Sequence, residues 1–226
     1  MTKRVFVVGT DTDVGKTTLV CALLERAYAI GKRVMPYKPA QSGCVGASDA
    51  QRLHAAARLG DLALEQIVAF DFPLPLAPGI AECSPHSFGE RPEDDTALAY
   101  CRDHLERGIE TVRPELVLVE GAGGLWVPMP GGTWQPRWIA ALASHVVVVG
   151  RAGLGTINHT LCTIDALRRL DLEPIGFYLV ETTAPDASSP SNAAVISSAR
   201  DVPHLGTLPH AAASPRCLLT PLLDRL

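Results

Sequence analysis

The sequence predicts an α/β fold, a doubly wound and mostly parallel sheet flanked by helices. Three observations carry that prediction. Short β-branched apolar runs recur along the chain, most of them followed by a segment of helical spacing, the alternation from which parallel sheets are wound. The run Leu116-Val117-Leu118-Val119 is apolar without a polar alternate, as strands covered on both faces are. A glycine-rich turn joins the first run to the first helical segment, the context in which such a turn carries chemistry.

The first strand is expected over Arg4–Val8 and the first helix over Lys16–Ile30. Between them runs Gly9-Thr10-Asp11-Thr12-Asp13-Val14-Gly15-Lys16-Thr17-Thr18. Gly9 and Gly15 permit a tight loop whose backbone N–H groups face inward. Lys16 supplies a point charge for the β- and γ-phosphates, the Thr17 hydroxyl can ligate Mg²⁺, and the helix N-terminus adds positive potential. The loop is one residue longer than the common G-x-x-x-x-G-K-[ST] spacing. It predicts a P-loop that binds a nucleoside triphosphate. Asp11 and Asp13 lie where phosphates approach and oppose them. Either one faces a cationic substrate or a departing proton, or it braces the loop as an Asx turn.

A second strand is expected over Arg33–Tyr37, followed by Lys38-Pro39-Ala40-Gln41-Ser42-Gly43 at the same sheet edge. Lys38 there can neutralise charge on a transferring phosphoryl group. Asp49 precedes a helical stretch and is a candidate Mg²⁺ ligand or a simple N-cap. The proline-rich span Phe70–Glu93 fits no regular element and is expected to cover a site or an interface. A helix over Asp94–Thr111 leads to the strand Leu116–Val119. That strand ends in Glu120-Gly121-Ala122-Gly123-Gly124, an acid at the Walker-B place, suited to Mg²⁺, before backbone pressed against a ligand. The rest reads as strand His145–Val149, helix Thr156–Leu170, strand Ile175–Val180, an irregular span Glu181–Pro190 and a strand His204–Leu208. No internal repeat or Gly/Ser linker divides the 226 residues, so one domain over 1–226 is expected.

Composition narrows the function further. Apolar residues are 47% and charged residues 19%, enough core to exclude a mostly disordered chain. The net charge of −4 offers no basic field for nucleic acid or an anionic membrane. No run approaches the length of a transmembrane helix. Met1–Arg4 leads into a β-like run rather than a secretory apolar core, so a cytoplasmic location is expected. The 6 cysteines form no C-x-x-C and the 7 histidines no H-E-x-x-H, which argues against a zinc site or a disulfide framework.

Four segments together resemble the dethiobiotin synthetase family. They are the loop Gly9–Thr17 with its extra residue, Lys38–Gly43, Glu120–Gly124 with Val127-Pro128, and Gly153-Leu154-Gly155-Thr156-Ile157-Asn158-His159-Thr160. The resemblance spans nearly the whole chain in the same order. It implies an Mg²⁺- and ATP-dependent cyclo-ligase that makes the ureido ring of dethiobiotin from 7,8-diaminononanoate and CO₂ or bicarbonate, working as a homodimer. In such enzymes one amine forms a carbamate, the carbamate attacks the γ-phosphate, and the second amine closes the ring on the mixed anhydride.

On this sequence the resemblance implies that Lys16 and Lys38 stabilise phosphoryl and carbamate charge, with Asp13 beside the reacting amines. Thr17, Asp49 and Glu120 would hold Mg²⁺. Thr12, Ser42 and Gly123 would meet the diamine or its carbamate, and Asn158 would meet substrate across the dimer. The nucleotide would lie against Gly9, Asp13, Val14, Gly15, Lys16, Thr17 and Thr18, and against Gly121, Ala122 and Gly123. Val180-Glu181 stand where some members read adenine with Asn-Asp, and Pro209-His210-Ala211 would add a further nucleotide contact. Asn192 aligns with a tyrosine that some members present to the substrate carboxylate from the partner chain.

Two other classes are weighed against this one. An amidoligase of the cobyrinate-amidating kind needs a glutaminase domain for which the chain leaves no room. A partitioning ATPase or switch depends on a lysine early in its P-loop, where Thr10-Asp11-Thr12 stand, and a GTP switch on N-K-x-D and D-x-x-G, which do not occur.

Overall fold

The computed structural model describes residues 2–43, 46–82, 94–210 and 218–226. Its first half runs β1 (Lys3–Gly9), α1 (Lys16–Ala29), β2 (Val34–Ser42), α2 (Asp49–Ala57), β3 (Val68–Phe72), α3 (Pro78–Glu82), α4 (Thr96–Val112) and β4 (Leu116–Gly124). A two-stranded hairpin, β5 (Pro128–Met129) with β6 (Thr133–Trp134), leads into α5 (Gln135–Leu142). Then follow β7 (His145–Arg151), α6 (Thr156–Arg168), β8 (Pro174–Val180), α7 (Ser189–Arg200), β9 (His204–Leu208) and α8 (Leu219–Leu223).

Seven strands form one sheet in the order β3-β2-β4-β1-β7-β8-β9, and every neighbouring pair is parallel. The middle strands are sealed on both faces: Val5–Val8, Val117–Val119 and Val147–Val149 are fully buried. Helix α1 packs beside α2 and α8, α4 beside α5, and α6 beside α7, so helices flank the sheet. Burial of this continuous apolar layer is the main driving force for the fold. Large core aromatics also satisfy their polar ends: Tyr37 Oη donates to the Cys101 carbonyl at 2.9 Å, and Trp138 Nε1 to Thr133 Oγ1 at 2.8 Å. In a sheet wound this way, ligands sit outside the carboxyl ends of the strands.

The strands run further than the sequence reading placed them. β2 continues through Lys38 to Ser42 despite Pro36 and Pro39, and β4 continues through Glu120 to Gly124. Tyr37 pairs in register with Val119 and Val7 with Glu120. Lys38 and Glu120 therefore stand at the same level on adjacent strands, a placement that a post-strand loop would not have secured.

The span Phe70–Glu93 is not wholly irregular. Phe70–Phe72 complete β3, and Pro78–Glu82 form α3. β3 is an edge strand of half-buried and exposed residues, so it lacks the continuous apolar run that marks the inner strands. Residues 83–93 of that span lie outside the described residues. Helix α7 likewise begins at Ser189-Pro190, inside the second span read as irregular, with proline in its first turn. Helix α5 opens with Gln135-Pro136 in the same manner.

Leu118 is fully buried at the centre of the sheet. Leu118→Ala leaves a cavity that flanking strands cannot close, and it should lower stability by about 2–5 kcal/mol, read as the shift in a urea unfolding midpoint at constant slope.

Candidate functional site

At the carboxyl edge of the sheet lies a cavity of about 570 Å³, within the usual range for small-ligand sites. Its wall includes Thr12, Asp13, Gly15, Lys16, Thr17, Thr18, Lys38, Asp49, Glu120 and Gly123, and on the far side Val180, Glu181, Pro209 and His210. Gly9, Val14, Gly121 and Ala122 stand behind that wall, and Ser42 and Asn158 lie outside it. Ala211 falls outside the described residues.

The loop between β1 and α1 is held open by close backbone packing. A Cβ on Gly9 would meet Gly123 O and Lys16 Nζ, each at 2.7 Å, so the first glycine permits the two glycine segments to touch. Gly15 has φ +92°, and a Cβ there would strike Val180 Cγ1 at 2.5 Å. Only glycine meets both demands. Asp13 takes a left-handed conformation with φ 56°, tolerated best by Asp and Asn among side-chain-bearing residues. The two loop acids differ in use. Asp11 Oδ1 accepts from the Thr12 N–H at 2.7 Å and braces the loop. Asp13 is exposed at the cavity wall, where its carboxylate acts through space on the Lys16 ammonium.

Below the loop is a buried ionic cluster. Lys38 Nζ, with 4% of its side chain exposed, donates to Asp49 Oδ2 and to Glu120 Oε1, both at 2.7 Å. Thr17 Oγ1 donates to the same Glu120 Oε1 at 2.7 Å. Burial alone would lower the Lys38 pKa, but the two carboxylates outweigh it and raise it above the ordinary value. Asp49 has the converse balance: burial disfavours its anion, and Lys38 more than compensates, holding it below the usual carboxylate range. Lys16 lacks such a partner. Its Nζ donates to the Asp11 carbonyl at 3.0 Å, and burial, only partly offset by Glu120, lowers its pKa to about 8.

Asp49 is not the cap of α2. Ser48 is: its hydroxyl accepts from Gln51 N–H at 3.2 Å while Gln51 Oε1 accepts from Ser48 N–H at 2.8 Å. That capping box leaves the Asp49 carboxylate free to face Lys38. Glu120 Oε2 is buried without a hydrogen-bond partner among the described residues. A buried carboxylate oxygen with no donor, beside a threonine hydroxyl and a second carboxylate, is a donor set that fits a hard divalent cation completed by phosphate and water oxygens.

Several contributors escape sequence reasoning. Gln135, fully buried, accepts from Ala122 N–H at 2.8 Å and donates to Gly124 O at 2.7 Å, fixing the glycine segment after Glu120. Arg52 lines the cavity one helical turn after Asp49 and reaches Thr18 Oγ1 at 3.4 Å. Its i+3 spacing from a candidate ligand was the available signal. Cys21, on the α1 side of the wall, has its thiol pushed up to about 12, chiefly by burial, and is unreactive.

Comparison with known proteins adds a second line. A family model described as "AAA domain" matches residues 3–215. The ATP-dependent dethiobiotin synthetase BioD of Anaeromyxobacter sp. (strain Fw109-5) is 41% identical over 214 residues, covering 92% of this chain and 90% of that one. That of Tolumonas auensis is 32% identical over 216 residues, covering 93% and 92%. The chain belongs to the ATP-dependent dethiobiotin synthetase family. Among solved structures, chloroplast FtsY from Physcomitrella patens superposes with a TM-score of 0.54 at 14% identity. This chain aligns throughout and spans 65% of the FtsY chain, a likeness of fold alone.

Two positions singled out in the sequence, Glu181 and Asn192, are both engaged with backbone groups. Glu181 N–H donates to Leu208 O at 2.9 Å, and Glu181 Oε2 accepts from His210 N–H at 2.9 Å, which ties the ends of β8 and β9 together at the cavity wall. Asn192 is not presented outward. It is 2% exposed, and its Nδ2 donates to Ala152 O at 2.7 Å and Gly153 O at 3.3 Å. In this chain it braces the β7–α6 loop and cannot serve a carboxylate across an interface. Asp186 supports the same loop by accepting from Leu154 N–H at 2.8 Å. No helix among the described residues is long and apolar enough to cross a membrane.

Gly15→Ala should cut ATP affinity by about 5- to 150-fold, the effect of about 1–3 kcal/mol of backbone strain, before its clash with Val180 is counted. Calorimetry of Gly15→Ala against Gly15→Ala/Val180→Ala separates the two causes: the double variant should recover the part owed to the clash.

Proposed function

We propose that this chain is an ATP- and Mg²⁺-dependent cyclo-ligase of biotin biosynthesis, closing the ureido ring of dethiobiotin from 7,8-diaminononanoate and CO₂ in the cytoplasm as a homodimer. The observation that carries the reading is the pairing of a P-loop with a second buried lysine and two carboxylates in one cavity. A simple hydrolase has no need of a second ammonium. A ligase that makes and consumes an acyl phosphate has two anionic centres to stabilise, the phosphoryl group and the carbamate.

In this reading one domain carries the whole site apart from groups contributed across the dimer. The inward N–H groups of Gly9–Thr18 cradle the phosphates, with Gly121–Gly123 as the facing backbone. Lys16 and Lys38 meet the charge on the transferring phosphoryl group and the carbamate. Thr17, Asp49 and Glu120 would hold Mg²⁺, which when bound would neutralise charge on the nucleotide phosphates. Asp13 orients the ammonium end of the diamine, and Thr12 and Gly123 lie toward the carbamate, whereas Ser42, outside the cavity, donates its hydroxyl to Leu76 O at 2.6 Å. One amine adds to CO₂ and loses a proton, the carbamate oxygen takes the γ-phosphoryl group from ATP and releases ADP, and the second amine attacks the anhydride carbon, loses a proton and expels phosphate. Val180, Glu181, Pro209 and His210 line the base end. Asn158 is exposed outside its own chain's cavity, a placement compatible with service to a partner's site.

The direct test is mass spectrometry after incubation with diaminononanoate, bicarbonate and Mg-ATP. A product at the mass of dethiobiotin is expected; ATP hydrolysis indifferent to diamine would refute the ligase reading. Glu120→Gln should raise the Mg²⁺ concentration for half-maximal activity far more than the KM for diamine, because the amide keeps the shape and loses the charge. Asp13→Asn keeps the left-handed backbone and removes a charge that repels phosphate. Turnover with diamine should fall while ATP affinity holds or tightens; weaker ATP binding with intact turnover would mark Asp13 as a loop brace.

A further inference from the structure

Lys38 sits in an unexpected place for a group meant to act on substrate. Both of its hydrogen bonds go to the carboxylates proposed for the metal, and the side chain is 4% exposed. Glu120 Oε1 is taken twice, by Lys38 Nζ and by Thr17 Oγ1, while Oε2 has no partner among the described residues. Lys16 shows that this is not a general property of the cavity, since its ammonium donates to a backbone carbonyl and touches neither acid. In this arrangement the chain's own cation occupies the electrostatic position of a divalent ion.

Two cations cannot share that position without strong repulsion. A divalent ion held by Asp49, Glu120 and Thr17 draws on the same lone pairs that Lys38 uses, and its charge lies close to the ammonium. The stem of Lys38 is long and flexible, and the residue already lines the cavity. Once its two acceptors are drawn to a stronger cation, the nearest remaining anions are those of bound substrates.

We propose that Lys38 is the resident counter-ion of the Asp49–Glu120 pair, and that it yields this place when a divalent cation binds, so that metal loading releases its ammonium into the cavity. Asp49 and Glu120 are then positioning residues for Lys38 as well as ligands. The proposal rests on the reading of those two acids as metal ligands. It gives the metal-free chain a reason to be stable, because the buried Glu120 carboxylate and the buried Lys38 ammonium compensate each other. It also makes Lys38 unavailable to the reaction until the metal arrives.

The test uses Mn²⁺ alone, with free ion followed by electron paramagnetic resonance, on the full chain and on Lys38→Met, Lys38→Arg and Glu120→Gln. Lys38→Met removes the competitor and should bind Mn²⁺ about tenfold more tightly than the parent chain, or better. Lys38→Arg restores a cation and should bind no more tightly than the parent. Lys38→Met should also melt lower without metal and regain the loss with Mg²⁺. Equal or weaker Mn²⁺ binding by Lys38→Met, or tightening by Lys38→Arg to the same degree, overturns the proposal. Unchanged Mn²⁺ binding by Glu120→Gln instead overturns the underlying metal-site reading. Should Lys38→Met not fold, ¹⁵N-lysine NMR of the parent chain decides. The Lys38 Nζ signal, assigned by its loss in Lys38→Arg, should move with Mg²⁺ occupancy, and a signal that stays fixed while metal binds refutes the exchange.

Discussion

The whole carboxyl edge of the sheet is organised around one constraint, that an ammonium buried between two carboxylates must find both of them. Lys38 on β2 and Glu120 on β4 are brought level by strand register, and Asp49 closes the group from the first turn of α2. Breaking such a buried pair typically costs about 3–5 kcal/mol, because the charge left behind has no solvent to turn to. The cluster therefore fixes β2 against β4 and sets where α2 begins. Gln41 reinforces that start by accepting from Ala50 N–H at 3.1 Å. The phosphate loop above inherits a rigid floor, since Thr17 is bonded to the same Glu120 oxygen.

How much of the fold can be read beforehand follows from which elements are sealed on both sides. β1, β4, β7 and β8 announce themselves through unbroken apolar stretches, because their central positions are buried on both faces. β3 does not, being an edge strand whose residues are half-buried or exposed. The short helices α5 and α7 are hidden for another reason. Their first turns carry Pro136 and Pro190, which read as breakers unless the helix that follows is already known. The ends of β2 and β4 were underestimated because Pro39 and the glycines after Glu120 resemble loop chemistry, although register pairing continues through them.

The candidate site divides along similar lines. Gly9, Gly15, Lys16, Thr17, Lys38 and Glu120 are legible because loop geometry and phosphate charge demand those residue types at strand ends. Gln135 is not legible, since its task is to complete backbone hydrogen bonds of a segment distant in sequence, and any amide on a helix looks alike beforehand. Asn192 shows the reverse hazard. It stands where some family members have a tyrosine that meets a ligand, and the local demand of two carbonyls, Ala152 O and Gly153 O, turns it inward. Sequence alone cannot rank such demands, because both are met by the same polar side chain.

The contact between Gly15 and Val180 has a wider consequence. The last residue of β8 forms part of the cavity wall and is also the surface against which the second glycine of the phosphate loop rests. Enlarging or reshaping that wall to admit a different base removes the backstop of the loop that holds the phosphates. In the function proposed above, nucleotide selectivity and phosphate grip are thus mechanically geared, and a redesign of one has to be re-tuned through the other rather than grafted as an independent module.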